Sequence, residues 1–161
     1  MGQNFPMPES RERTEEGRGD TVEANTPSLA ELDERVRLAL HAAGEKKAHD
    51  LVVLDLREVA SFTDYFVIAS GTNVRQVQAI ADAVQEQLRK QLSVKPARVE
   101  GYNSAEWVLL DYGDFIFHVF EDKSRRFYDL ERLWRDAARV PLPPDVAAGG
   151  DTRAGSLRDE R

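Results

Sequence analysis

The feature that most constrains this chain lies between Tyr65 and Leu88. Tyr65-Phe-Val-Ile-Ala69 is a short apolar run, Ser70-Gly-Thr-Asn73 is a turn, and a long amphipathic stripe follows. In that stripe Val74, Val77, Ile80, Ala81, Val84 and Leu88 recur at helical spacing, with Arg75, Gln78, Asp82, Gln85, Glu86 and Arg89 outside it. A buried strand feeding a one-sided helix needs a sheet partner for the strand and a covered face for the helix. A third short run at Ala97–Glu100 closes the unit as a crossover, expected to be right-handed and parallel. The chain is thereby committed to a layered α/β domain.

The flanking segments extend that layer. Leu51-Val-Val-Leu-Asp-Leu56 reads as a well-covered strand. Glu106-Trp-Val-Leu-Leu-Asp111 and Phe115-Ile-Phe-His-Val-Phe120 flank Tyr112-Gly-Asp114, a hairpin signal with Gly113 where positive φ is useful. Ser28-Leu-Ala-Glu31 forms a capping box ahead of Leu29, Leu32, Val36, Leu40 and Ala43, with Gly44 as the C-terminal stop. Asp129 is placed to cap a last helix carrying Leu130, Leu133, Trp134 and Ala137. The expected fold is α/β, a mixed five-stranded sheet packed with about three helices. The domain is expected over 28–139. Residues 1–27, rich in Glu, Arg, Gly and Pro, and the Pro-stopped stretch 140–161 are expected to be disordered tails.

Composition then excludes whole classes. The 161 residues carry 22 Lys and Arg against 29 Asp and Glu, a net charge of −7. That surplus is the wrong sign for indiscriminate binding to nucleic acid. The chain contains no cysteine, which excludes disulfide scaffolds and Cys-ligated zinc or iron–sulfur sites and fits a reducing cytosol. No run of about 18 apolar residues is present, so no membrane-spanning helix is expected. The first residues lack the apolar core of a secretory signal.

Chemistry is sparse. The histidines, His41, His49 and His118, show no metal-ligand spacing, and His49-Asp50 reads as a solvated loop. Ser70-Gly71-Thr72 precedes a helix but has one glycine and no following Lys, so it reads as a capping turn using Thr72 or Asn73. Asp111 and Asp114 bracket the hairpin turn. Paired carboxylates suit metal binding, but Asp is also a standard turn residue, and the turn reading is preferred. No metal site, cofactor or activated nucleophile is expected. The enzyme alternative is a metal-dependent, nucleotidyltransferase-like activity using Ser70, Asp111 and Asp114.

Trp107 stands out. Strand alternation puts Trp107, Leu109 and Asp111 on one face and Glu106, Val108 and Leu110 on the other, and both faces of the hairpin are rich in apolar residues. A core tryptophan and an uncovered hot spot rimmed by Glu106 and Asp111 both fit this pattern.

An ordered series of segments carries a resemblance. Asp64-Tyr-Phe-Val-Ile-Ala-Ser-Gly-Thr72, Arg75-Gln-Val77, Ala79-Ile-Ala81, Glu100-Gly-Tyr102, Ala105-Glu-Trp-Val-Leu-Leu-Asp-Tyr-Gly-Asp114, His118-Val-Phe120 and Tyr128-Asp-Leu-Glu-Arg-Leu-Trp134 resemble the RsfS, or Iojap, family of ribosomal silencing factors. The match runs over about 29–137. It implies a cytoplasmic bacterial factor, often a homodimer, with a nucleotidyltransferase-like fold that lacks the catalytic carboxylates. It further implies binding to ribosomal protein fourteen of the large subunit. That binding would block joining of the small subunit and repress translation under nutrient limitation. No membrane partner and no sequence-specific nucleic-acid binding are implied. The tryptophan of the family's "EW" segment, here Trp107, falls on the partner-binding surface, with Glu106, Leu109, Asp111, Gly113 and Tyr102 as further contributors. Phe115, Phe117 and Phe127 depart from the usual pattern and read as a repacked core.

Overall fold

The structure, a computed structural model, describes residues 26–149. The expectations for residues 1–25 and 150–161 lie outside the described residues.

The chain forms α1 (Glu34–Glu45), β1 (His49–Asp55), β2 (Tyr65–Gly71), α2 (Val74–Leu92), β3 (Arg98–Glu100), β4 (Trp107–Asp111) and β5 (Phe115–Glu121). Then follow α3 (Asp122–Tyr128), α4 (Leu130–Leu133), β6 (Ala138–Arg139) and α5 (Pro144–Ala147). The strands make one mixed six-stranded sheet in the order β3-β4-β5-β2-β1-β6. β2 and β5 pair in parallel, and the other pairings are antiparallel. β3 therefore runs parallel to β2, as the crossover requires, but it lies at the sheet edge with β5 and β4 between them.

Register assigns the two faces. Val53, Val67, Phe117 and Val108 point toward α1 and α2, where Val36, Ala39 and Leu40 of α1 and Val77, Ile80, Val84 and Leu88 of α2 close the larger core. Fully burying such side chains contributes about 1.5–3 kcal/mol each. Phe115 and Phe117 lie in this core, as a repacked interior requires. On the opposite face Leu54, Phe66, Ile68, Ile116 and Phe120 meet Leu130 and Trp134. Only short elements cover this side, and its β4–β5 end carries the site described below.

The structure corrects several expectations. The sheet has a sixth strand, β6, whose Arg139 and Ala138 pair with Leu54 and Asp55 of β1. The Ser28–Glu31 box is present, with the Ser28 N–H donating to Glu31 Oε1 at 3.0 Å, but it closes a 3-10 turn over Leu29–Glu31. Helix α1 starts beyond it, capped by Asp33, whose Oδ1 accepts from the Arg35 N–H at 2.8 Å. Gly44 is buried inside α1, and the helix ends at Lys46. The helix expected to carry Leu130 through Ala137 spans only Leu130–Leu133; Asp129, with a left-handed φ of 50°, makes no side-chain cap bond to it and separates it from an unexpected helix over Asp122–Tyr128. His49 opens β1 instead of sitting in a loop. Past 139, where a tail was expected, the Val140 N–H donates to the Val53 carbonyl at 2.9 Å and Val146 of α5 is buried.

Candidate docking surface

Trp107 starts β4 opposite Phe120 of β5. The two rings stack with centroids 4.8 Å apart. Tyr128, the last residue of α3, packs beside both rings, 4.9 Å from the indole and 6.4 Å from Phe120. Phe127 meets Tyr128 edge to face at 5.0 Å and is 79% exposed. The result is a continuous aromatic ladder from the core to solvent. Aromatic pairs in such geometries contribute about 0.5–1.5 kcal/mol beyond area burial.

The indole N–H is turned inward. Trp107 Nε1 donates to His118 Nδ1 at 3.1 Å. An indole nitrogen is a donor, so Nδ1 must accept, and the imidazole proton resides on Nε2. His118 is fully buried, and burial pushes its pKa down to about 3. The imidazole is therefore neutral and fixes the indole's orientation. The two readings of Trp107 combine in one residue. Its polar edge is anchored in the core while the half-buried ring remains part of the surface.

Leu109 and Asp111 share Trp107's face, opposite His118 and Ile116. Leu109 is buried, with 6% exposure. Asp111 Oδ1 accepts from the Gly113 N–H at 2.9 Å, and Oδ2 accepts from Arg98 Nη2 at 3.3 Å. Gly113 stands in the left-handed region with φ 88°. Its carbonyl accepts from Thr63 Oγ1 at 2.8 Å. Glu106 is exposed just before β4, and its carbonyl accepts from the Glu121 N–H at 3.0 Å. Tyr102 is placed elsewhere. Its hydroxyl donates to Asp82 Oδ2 on α2 at 3.0 Å, and its carbonyl accepts from Gln78 Nε2 at 2.9 Å. The structure thus brings Trp107, Leu109 and Asp111 together, sets Glu106 and Gly113 at the ends of that strand, and puts Tyr102 on the α2 layer.

Sequence reasoning missed Phe120, Tyr128 and Phe127 as members of this face. The hairpin register, once read, pairs Trp107 with Phe120. Phe127 also corrects an expectation: unlike Phe115 and Phe117 it is a surface residue, so this departure reshapes the exposed face.

The groups considered for catalysis are engaged elsewhere. Asp114 Oδ2 accepts from Arg35 Nη2 at 2.9 Å, away from the partners of Asp111. Ser70 Oγ accepts from Arg125 Nη1 at 2.8 Å. The Thr72 N–H donates to Gln76 Oε1 at 2.6 Å, and Asn73 Oδ1 caps α2 by accepting from the Gln76 N–H at 2.9 Å. Among the described residues no three His, Asp or Glu side chains form a metal-holding group.

Fold and site together define a small mixed α/β domain with a partly exposed aromatic face at the β4–β5 end of its sheet. Residues 29–160 match the family described as "Ribosomal silencing factor during starvation", and the chain belongs to this ribosomal silencing factor family, which is non-enzymatic. The alternative reading, a nucleotidyltransferase-like enzyme, is thereby set aside. The chain is similar to the ribosomal silencing factor of Halalkalibacterium halodurans, at 40% identity over 109 residues covering 68% of this chain and 92% of that one. It is similar to that of Bacillus subtilis at 38% over 107 residues, 66% of this chain and 90% of the relative. A crystal structure of a Chromobacterium violaceum protein superposes with a TM-score of 0.61 at 36% identity, covering 68% of this chain and 88% of that one.

Proposed function

We propose that this protein docks on the large ribosomal subunit through its protein fourteen and keeps the small subunit from joining, repressing translation when nutrients are limiting. The observation that carries this reading is Trp107, anchored inward through His118 yet presenting its ring beside Tyr128 and Phe127. A fixed, half-buried tryptophan flanked by aromatic rings is the anatomy of an interface hot spot. Family membership supports the ribosomal setting. A mouse relative, 29% identical over 124 residues, is named for mitochondrial assembly of the ribosomal large subunit.

Charge supports the choice of a protein partner over bare RNA. At a net −7 the chain is attracted to a basic ribosomal protein and repelled by phosphodiester backbone. The reading places the protein in the cytoplasm, as a monomer or homodimer. Among the described residues no helix is long and apolar enough to cross a membrane.

Sucrose-gradient sedimentation with separated subunits tests the proposal. The protein should travel with the large subunit, and its prior addition should shrink the joined-ribosome peak. Absence from the large-subunit fraction would overturn the partner. Binding with no effect on joining would overturn the silencing mechanism.

A further inference from the structure

Helix α3 carries the outer half of the aromatic ladder but has no apolar anchor of its own. None of its residues is buried. It is held by polar contacts. Glu121 caps it, accepting from the Lys123 and Ser124 N–H groups at 3.1 and 3.3 Å. At its first residue, Asp122 Oδ1 is 2.7 Å from His49 Nε2 at the start of β1. One turn on, Arg125 reaches three acceptors. Nη1 donates to Ser70 Oγ at the end of β2, while Nε and Nη2 donate to Glu131 Oε1 and Oε2 at 3.2 and 2.9 Å. One turn further, Tyr128 leans on Trp107.

These contacts fall three residues apart, on neighbouring positions of one helix face. Arg125 is the central one. Its side chain is 12% exposed, and the Glu131 side chain it grips is 20% exposed. Burial pushes the Glu131 carboxyl up, but the hydrogen bonds and positive charge of Arg125, joined by the charge of Arg139, together outweigh it and hold the carboxyl below its usual range. The fork geometry ties β2, α3 and α4 at fixed angles, which a single-point contact would not.

We infer that Arg125 is a positioning residue for the docking face: bridging Ser70 and Glu131, it holds α3 so that Tyr128 stays packed against Trp107 and both rings meet the partner pre-ordered. The inference rests on the docking reading above. It explains why a helix that contributes nothing to the core is nevertheless built with a three-acceptor arginine. Pre-ordering removes the entropy that would otherwise be lost on binding.

Arg125→Met, which keeps the aliphatic stem, tests this in the full chain. The two tryptophans give an internal control, since Trp134 is fully buried and Trp107 is not. In protein labelled with fluorotryptophan, the fluorine resonance of Trp107 should shift or broaden while that of Trp134 holds. General damage to the fold would move both. Binding to large subunits should weaken by roughly two- to tenfold, the range for ordering one or two interface side chains on association. In a Tyr128→Ala background the Arg125→Met change should have little further effect on binding, because Arg125 acts through that ring. Where Arg125→Met proves unstable, Ser70→Ala deletes one acceptor and carries the same readouts.

A Trp107 resonance that moves no more than that of Trp134 would overturn the inference. So would wild-type binding by Arg125→Met when Trp107→Ala has lost it. Normal binding by Trp107→Ala would overturn the docking reading instead, and is told apart because the Trp107 resonance still responds to Arg125→Met.

Discussion

Replacing Trp107 by Phe and by Ala separates what the indole does for the fold from what it does for the partner. In the Phe variant the ring stack on Phe120 is kept, but His118 Nδ1 loses the indole donor at 3.1 Å. His118 is fully buried. Depriving a buried acceptor of a donor costs about 1–3 kcal/mol. For a domain of this size each kcal/mol lowers the melting temperature by roughly 4–8 °C. Trp107→Phe should therefore melt measurably lower than wild type and still fold. Its affinity for the large subunit should change little, because the N–H faces His118 and the partner meets the ring. Trp107→Ala removes the ring as well. Truncating a hot-spot tryptophan costs at least about 2 kcal/mol of binding, so affinity should fall by roughly thirtyfold or more. Thermal melts and gradient sedimentation of both variants are the assay. A Phe variant that melts like wild type, or one that loses as much binding as Ala, would refute the inward-facing N–H.

Gly101 holds φ 80°, and a Cβ there would lie 2.1 Å from the Trp107 carbonyl oxygen, so Gly101→Ala should cost more than about 2 kcal/mol in urea unfolding. Gly113→Ala meets nothing within 4 Å and should cost only the left-handed backbone term, about 1–2 kcal/mol. Ending the chain after Arg139 removes the buried Val140 and Val146 and should cost about 2–4 kcal/mol in urea unfolding. His118 is held neutral in the fold and takes a proton readily only once unfolded, so its contribution is complete above about pH 6.5 and is lost as pH falls toward 3. Its ring carbon resonances should accordingly keep neutral shifts in folded protein at about pH 5.

What was legible in the sequence follows the strength of the local signal. The α2 stripe was read residue by residue, except that Val74 is largely exposed, because nineteen helical residues repeat the 3.6 period several times. The hairpin and its Gly113 turn were legible because turn chemistry is local. β6 was not, since its two residues contain no periodicity and owe their strand state to β1. Helix α3 was invisible for a different reason: a helix that buries nothing shows no apolar stripe, and Lys123, Arg125 and Arg126 read like a loop. The capping box was present but misassigned, because Leu32 returns to extended backbone and Asp33 then caps α1 anew. At the site, Trp107, Leu109 and Asp111 came from strand alternation and resemblance together. Tyr128 reaches Trp107 across 21 residues of sequence, a contact no local pattern encodes. Tyr102, from the neighbouring Glu100-Gly-Tyr102 segment, lies in the turn before β4 and bonds Asp82 and Gln78 of α2 instead of joining that face.

The unequal covering of the sheet connects the fold to its use. Two long helices close one face, and their apolar stripes bury Val108, Leu110, Phe117 and Val119 completely. The other face has Trp134 and Leu130 over β1 and β2, but over β4 and β5 the layer thins to one polar-tethered helix and its aromatic end. A third long helix there would stabilise the domain by burying Trp107 and would cover the proposed docking surface. The chain instead seals the exposed end from within. The neutral His118 satisfies the indole N–H, Phe120 supports the ring, and Arg125 holds Tyr128 in place. Each contact limits the freedom of an exposed aromatic group without hiding it. The face can therefore remain solvent-facing in the free protein and lose little entropy when a partner covers it. On this reasoning a variant with α3 lengthened across β4 should gain stability and lose large-subunit binding together. Gain of both would show that the partner uses a different face.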